Sequence, residues 1–183
     1  VVPGVLYGDV AISWREQFGN YYPPEGGDSA YGGIRDMNGM MRLRYAPTGS
    51  PWDVMVTAGR MVTNSSEEQF VLGADGINSR VAQPFDSQYR LSTTSLGMIA
   101  SYDLGPAVIS SLTGWQDRNL DRTIQGYYTP ETQRMFTQEL RIASAPGEAG
   151  PISYVAGLWF QNLDFERQIT GQTSSQALQT YSG

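Results

Sequence analysis

The sequence predicts an all-β chain, with amphipathic strands running up and down in one antiparallel sheet of the kind that forms a transmembrane β-barrel. Three observations predict it. Apolar and polar residues alternate in about seven consecutive segments, and a period of two marks a strand with one apolar face. The connections between segments alternate long and short. Aromatic residues sit near segment ends at Trp14, Tyr45, Trp52, Tyr102 and Trp115, where the girdles of membrane barrels lie.

The first segment, 6–14, places Leu6, Gly8, Val10, Ile12 and Trp14 on one face and Tyr7, Asp9, Ala11 and Ser13 on the other. The second, 37–45, sets Met37, Gly39, Met41, Leu43 and Tyr45 against Asn38, Met40, Arg42 and Arg44. The third starts at Trp52, with Val54, Val56 and Ala58 opposed by Asp53, Met55 and Thr57. In the fourth, 95–102, Leu96, Met98, Ala100 and Tyr102 oppose Ser95, Gly97, Ile99 and Ser101. The fifth, 107–116, has no clean alternation, because Ile109 and Trp115 share one parity while Val108 and Leu112 share the other. The sixth, 136–143, opposes Phe136, Gln138, Leu140 and Ile142 to Thr137, Glu139 and Arg141. The seventh, 152–161, is apolar on both parities. Residues 168–181 are rich in Ser, Thr and Gln and read as a loop or a weak further strand.

Residues 46–51 (APTGSP), 103–106 (DLGP) and 144–151 (SAPGEAGP) read as short connections, and 16–36, 63–94 and 117–135 as long ones. Short turns on one side and long loops on the other match the periplasmic and extracellular ends of an outer-membrane barrel. The first segment then rises toward the outside, and the second descends. The plain alternative is a soluble β-sandwich, where strands also alternate and loops also cluster.

Composition removes much chemistry. There is no His, Cys or Lys, and all 12 basic residues are Arg. A Ser-His-Asp triad, a Cys nucleophile, a Schiff base, a P-loop lysine and a Cys/His zinc site are excluded. The formal net charge of −6, with no basic cluster, argues against nucleic acid as a partner. No stretch approaches the roughly 18 apolar residues of a spanning helix. By hydropathy alone the chain looks soluble, but transmembrane β-strands give a much weaker signal per segment than helices do. A start at Val1 without a signal peptide reads as a mature or cut product.

Several stretches, in this order, resemble the barrel of TonB-dependent receptors. They are GMMRLRYAPTGSPWDVMVTAG (39–59), SLGMIASYDLGPAVISSLTGWQDRNLDR (95–122), and FTQELRIAS (136–144) followed by YVAGLWFQ (154–161). The resemblance implies a 22-strand barrel with a separate N-terminal plug, in the bacterial outer membrane. It implies import of a scarce ligand such as a ferric siderophore, driven through the TonB complex. Residues 1–183 then form part of that barrel domain, with no plug in this chain. The implied partners are outer-membrane lipid, the remaining strands, the plug and, through the plug, TonB. No enzyme activity, cofactor or resident metal is implied. The competing readings are a passive porin or small outer-membrane barrel, and a soluble β-sandwich carbohydrate-binding protein or glycanase. The last needs only carboxylates, and Glu139 is the one well placed on a strand.

The candidate ligand contacts are Arg42, Arg44, Glu139 and Arg141 on polar strand faces, and Tyr21, Tyr22, Tyr31, Tyr127 and Tyr128 in loops. Arginine suits bidentate contacts to anionic oxygens, and tyrosine suits stacking. The bland readings are wall residues paired with acids such as Glu139, and an aromatic girdle. Glu67, Glu68 and Asp75 have the oxygen chemistry of a calcium loop but not EF-hand spacing, so they read as a solvated loop.

Overall fold

Two tight turns, at 46–51 and 103–106, each fix the register of the strands they join. Ser50 N–H donates to the Pro47 carbonyl, and Gly49 takes φ 78°, a left-handed conformation that favours glycine. At the second turn Gly105 has φ 89°, and its N–H donates to the Asp103 carboxylate at 2.7 Å. Outward from these turns the chain forms extended ladders, described in a computed structural model for residues 2–19, 32–66, 87–124, 127–145 and 152–168. The strands are β1 (Leu6–Gln17), β2 (Ile34–Tyr45), β3 (Trp52–Ser65), β4 (Gln88–Asp103), β5 (Ala107–Ile124), β6 (Tyr127–Tyr128), β7 (Glu131–Ser144) and β8 (Val155–Arg167). They form one antiparallel sheet in the order β1-β2-β3-β4-β5-β7-β8, with the two-residue β6 pairing β5.

The register joins the faces into two continuous surfaces. One row of partners runs Val10, Met41, Ala58, Leu96, Trp115, Phe136 and Asn162 from β1 to β8. Apolar residues gather on this parity in all seven long strands. The faces of 107–116, unassigned by alternation, follow from pairing: Ile109 stands opposite Tyr102 and Trp115 opposite Leu96, whereas Val108 and Leu112 lie on the polar face. Trp52 and Tyr102 meet edge to face at 4.8 Å at the short-turn end of the apolar face.

Among the described residues the buried hydrophobics are only Ala107, Leu120 and Ala145, while Ile12 is 78% exposed and Leu158 77%. No second layer covers either face of the described sheet. A sandwich would bury these side chains against another sheet. An uncovered apolar surface of this extent is matched instead by lipid, as on the outside of a membrane barrel.

The upper limit of the apolar band measures the tilt. On β1 it ends at Trp14, two alternate positions above the row just described. On β8 it ends at Phe160, one below. That shift of six residues is about 20 Å along the strands, over six inter-strand steps totalling about 29 Å, which gives a tilt of about 35°. This is the tilt that barrel closure requires.

One connection differs from expectation. Residues 117–135 do not form a long loop: β5 continues to Ile124, β6 folds back on it, and β7 starts at Glu131. β3 likewise reaches Ser65, β4 begins at Gln88 and β8 runs on to Arg167. Beyond Trp115 both faces of β5 carry polar residues, so the period-two signal vanishes although the backbone ladder persists. A spanning strand needs about 9–11 residues, and β5 has 18. Its end therefore stands clear of the apolar band, where both faces meet water. Residues 168–181 fall, except Gln168, outside the described residues.

Gly157 marks the tightest backbone approach. A Cβ there would lie 2.7 Å from the Leu140 carbonyl oxygen and 3.6 Å from the Arg141 Cα, neither of which can move aside alone. Gly157→Val in the full-length protein is expected to cost about 1–3 kcal/mol. Gly39→Ala, with nothing within 4 Å of its Cβ, is expected to be near neutral. Urea unfolding in detergent, followed by tryptophan fluorescence, reads the difference.

Candidate functional site

The polar face carries its charge as pairs. Arg42 Nε donates to Asp9 Oδ1 at 2.8 Å across the β1–β2 ladder. Arg44 donates from Nε to Asp53 Oδ1 at 2.9 Å and from a terminal nitrogen to Oδ2, a bidentate clasp spanning the β2–β3 turn. Arg141 donates from Nε to Glu139 Oε1 at 2.9 Å, along one strand. Arg15 and Asp36 pair in the same way further up β1 and β2. Their guanidinium groups are about half exposed, while Asp36 and Glu139 are more covered, and pairs in contact with solvent contribute about 0–1 kcal/mol each. Their main effect is to hold the guanidinium groups in place and balance the wall's charge. Arg42 is bonded through Nε alone, so among the described residues its terminal nitrogens keep their donors for another group.

The sheet does not bring the four strand candidates into one cluster. Arg44, Met55, Ile99, Leu112 and Glu139 are successive register partners from β2 to β7. Arg44 and Glu139 are therefore four inter-strand steps apart, about 19 Å. Between the two charged groups lies a depression of about 330 Å³, lined by Met55, Ile99 and Leu112 and by the bare backbone at Gly97 and Gly114. The residues of one row here are Thr57, Gly97, Gly114 and Thr137. A Cβ on Gly97 would come within 2.7 Å of Thr57 Oγ1, and one on Gly114 within 2.6 Å of Thr137 Oγ1. The threonines occupy the space that the glycines leave. The polar face is thus a low apolar saddle between two ion-paired flanks.

The tyrosines part company. Tyr128 stands opposite Thr123, on the parity of the apolar face, and its hydroxyl donates to Asp121 at 2.8 Å. That hydrogen bond, with partial burial and the nearby carboxylate charge, raises its pKa above the ordinary tyrosine value. Tyr127 stands opposite Ile124, on the other parity, so the two rings do not form one stacking platform. Tyr21, Tyr22, Tyr31, Glu67, Glu68 and Asp75 lie outside the described residues.

Alternation missed the acids Asp9, Asp36 and Asp53 as partners. Asp53 was within reach, since it lies nine residues from Arg44 across a short turn. Asp9 was not, because its pairing with Arg42 depends on a register set across a long connection. The glycine saddle had a signal as well: Gly59, Gly97 and Gly114 share the polar parity on three consecutive strands.

No protein-family model matches the chain. The pesticin receptors of Yersinia enterocolitica and Yersinia pestis are 29% identical to it over 167 residues, 87% of the chain and 24% of those receptors. Among solved structures, the ferric yersiniabactin uptake receptor FyuA from Yersinia pestis matches with a TM-score of 0.79 and 26% identity, over 93% of the chain and 28% of that receptor. The chain thus spans about a quarter of the length of the relatives it matches. Sequence and fold agree over most of the chain, which is homologous to these receptors and similar in structure to one section of the FyuA chain.

Proposed function

We propose that this chain serves as barrel wall in an outer-membrane receptor that imports a scarce ligand, such as a ferric siderophore, with energy supplied through TonB. The similarity to a ferric yersiniabactin uptake receptor across 93% of the chain carries this reading. The two-faced sheet supports it, with lipid-matched residues on one side and ion pairs on the other. The polar face supplies two things. Arg42 offers unbonded donors to an anionic complex, or to an acid of a plug seated inside. The methionine- and glycine-lined saddle offers a smooth surface, and flexible methionine adapts to what packs against it. The chain supplies wall and contacts and performs no catalytic step.

The test is uptake of labelled iron by iron-limited cells with and without the full-length receptor, using a panel of purified ferric siderophores. Accumulation of at least one siderophore that depends on the receptor and is abolished by an uncoupler is the expected result. Accumulation that persists with the uncoupler marks a passive porin and overturns the reading.

A further inference from the structure

The apolar-parity face changes character above the lipid band, and its charge is sorted by strand. On β1–β4 this zone carries Arg35, Arg60 and Arg90 against the single acid Glu16. On β5–β8 it carries Asp117, Asp121, Asp164 and Glu166 against the single base Arg134. Several of these charges are engaged: Glu16 accepts from Arg35, Asp117 from Arg134, and Asp121 from Tyr128. Arg60 and Arg90 differ. Arg60 donates to the Thr94 hydroxyl, and among the described residues no carboxylate bonds either guanidinium.

Their placement is specific. Arg60 lies between Ala58 and Val62 on this face, in the row of Ile12 and Gly39, at the upper margin of the tilted apolar band. Its β2 neighbour is Gly39, whose missing side chain leaves the space beside it open. Arg35, Asn64 and Arg90 form one row across β2, β3 and β4, about 14 Å further along the strands. On β4, Thr94 stands beside Arg60, and Ser92, opposite Val62, lies between the two levels. All three residues of the upper row line an open concavity of about 780 Å³. Arginine side chains reach along a barrel surface while keeping their heads in the polar layer.

We infer that Arg60 and Arg90, with Arg35 and Asn64, hold the phosphate of an anionic lipid headgroup in the leaflet at the long-loop end. The apolar band supplies the acyl-chain contact directly below. Arg60 and Arg90, whose guanidinium groups no carboxylate bonds among the described residues, supply the charge complement above, although Glu16 and Asp121 flank the upper row beside Arg35 and Arg90. A planar guanidinium binds phosphate through paired hydrogen bonds. Asn64 and the Ser92 and Thr94 hydroxyls add neutral donors, which suits the bridging and ester oxygens of a glycolipid headgroup. The acidic β5–β8 side of the same zone repels such a headgroup, so the lipid is held on β2–β4 alone. This inference rests on the outer-membrane reading.

The experiment uses the full-length receptor in detergent, titrated with lipid A (a bisphosphorylated glycolipid) and followed by native mass spectrometry. The expected result is stoichiometric binding that weakens about tenfold or more in Arg60→Gln/Arg90→Gln and is largely restored in Arg60→Lys/Arg90→Lys. Equal binding of the dephosphorylated lipid, or unchanged binding in the glutamine variant, overturns the inference. So does inorganic phosphate binding as tightly as the lipid, since the site is then not a headgroup site. Detergent-dependent solubility and heat-modifiable gel migration, measured on the same samples, report separately whether the protein is a membrane barrel. A barrel that passes those checks and ignores lipid phosphate refutes the site alone.

Discussion

Val10→Arg is expected to prevent stable insertion of the protein into a bilayer, at a cost of about 2–4 kcal/mol for a cationic side chain at the bilayer midplane. Val10 lies halfway along the apolar run of β1 between Leu6 and Trp14, and it is 68% exposed on the uncovered face. Its neighbour Ala11 is also exposed but points to the opposite face. Ala11→Arg adds the same charge one residue away, on the face that carries the Asp9–Arg42 and Arg15–Asp36 pairs. It is expected to change stability by less than about 1 kcal/mol, as for substitutions on a solvated face. Refolding of both full-length variants into phosphatidylcholine vesicles, scored by protection from protease, separates the two. A soluble β-sandwich would tolerate arginine on a solvated face and would need no vesicles at all. Equal refolding of the two variants therefore sinks the assignment of faces, and folding without lipid or detergent sinks the barrel.

The contrast between these neighbours was legible from alternation alone, because a strand obliges residues 10 and 11 to face opposite ways. The same logic read the faces of β1, β2, β3, β4 and β7 correctly. It failed where its premise fails. In 107–116, Val108 and Leu112 put apolar groups on the polar face, where they build the saddle, and only the pairing with Tyr102 and Leu96 resolves the parity. In 117–135, hydrogen bonds sustain the strands after both faces have turned polar, so a reading based on side chains sees a loop. Loop lengths nevertheless pointed to the right architecture, because two of the three long connections remain, at 18–33 and 66–87. The candidate site was legible as a list of charged residues and illegible as a geometry. Which acid meets Arg42 depends on how β1 registers against β2, and nothing local encodes that.

Residues 1–183 expressed alone are expected to give no monomeric, cooperatively folded species in detergent. β1 pairs only with β2, and β8 only with β7, so among the described residues each ends the sheet with an open edge. Along strands of 12 and 13 residues, about half of the backbone groups point outward from the sheet, roughly six N–H and six C=O per edge at most. Each costs several kcal/mol when unsatisfied in hydrocarbon, a total that exceeds the about 5–15 kcal/mol by which a typical protein is stable. Copies of the same segment inserted in one orientation cannot close these edges in the antiparallel manner, and an inverted copy would place the long connections on both sides of the membrane. Six antiparallel steps separate β1 from β8, so the two edges run in the same direction. Joining β8 of one copy to β1 of the next would require a parallel seam. Antiparallel closure needs an odd number of further strands, which gives the even total of bacterial barrels. On the proposed reading, co-expression with the remaining strands of the barrel is therefore expected to restore a heat-modifiable barrel. The isolated segment, even when concentrated, is expected to form only heterogeneous oligomers on a sizing column. A discrete oligomer built from this segment alone, with cooperative urea unfolding, would overturn the topological argument, because it would show that the edges satisfy one another without strands from elsewhere.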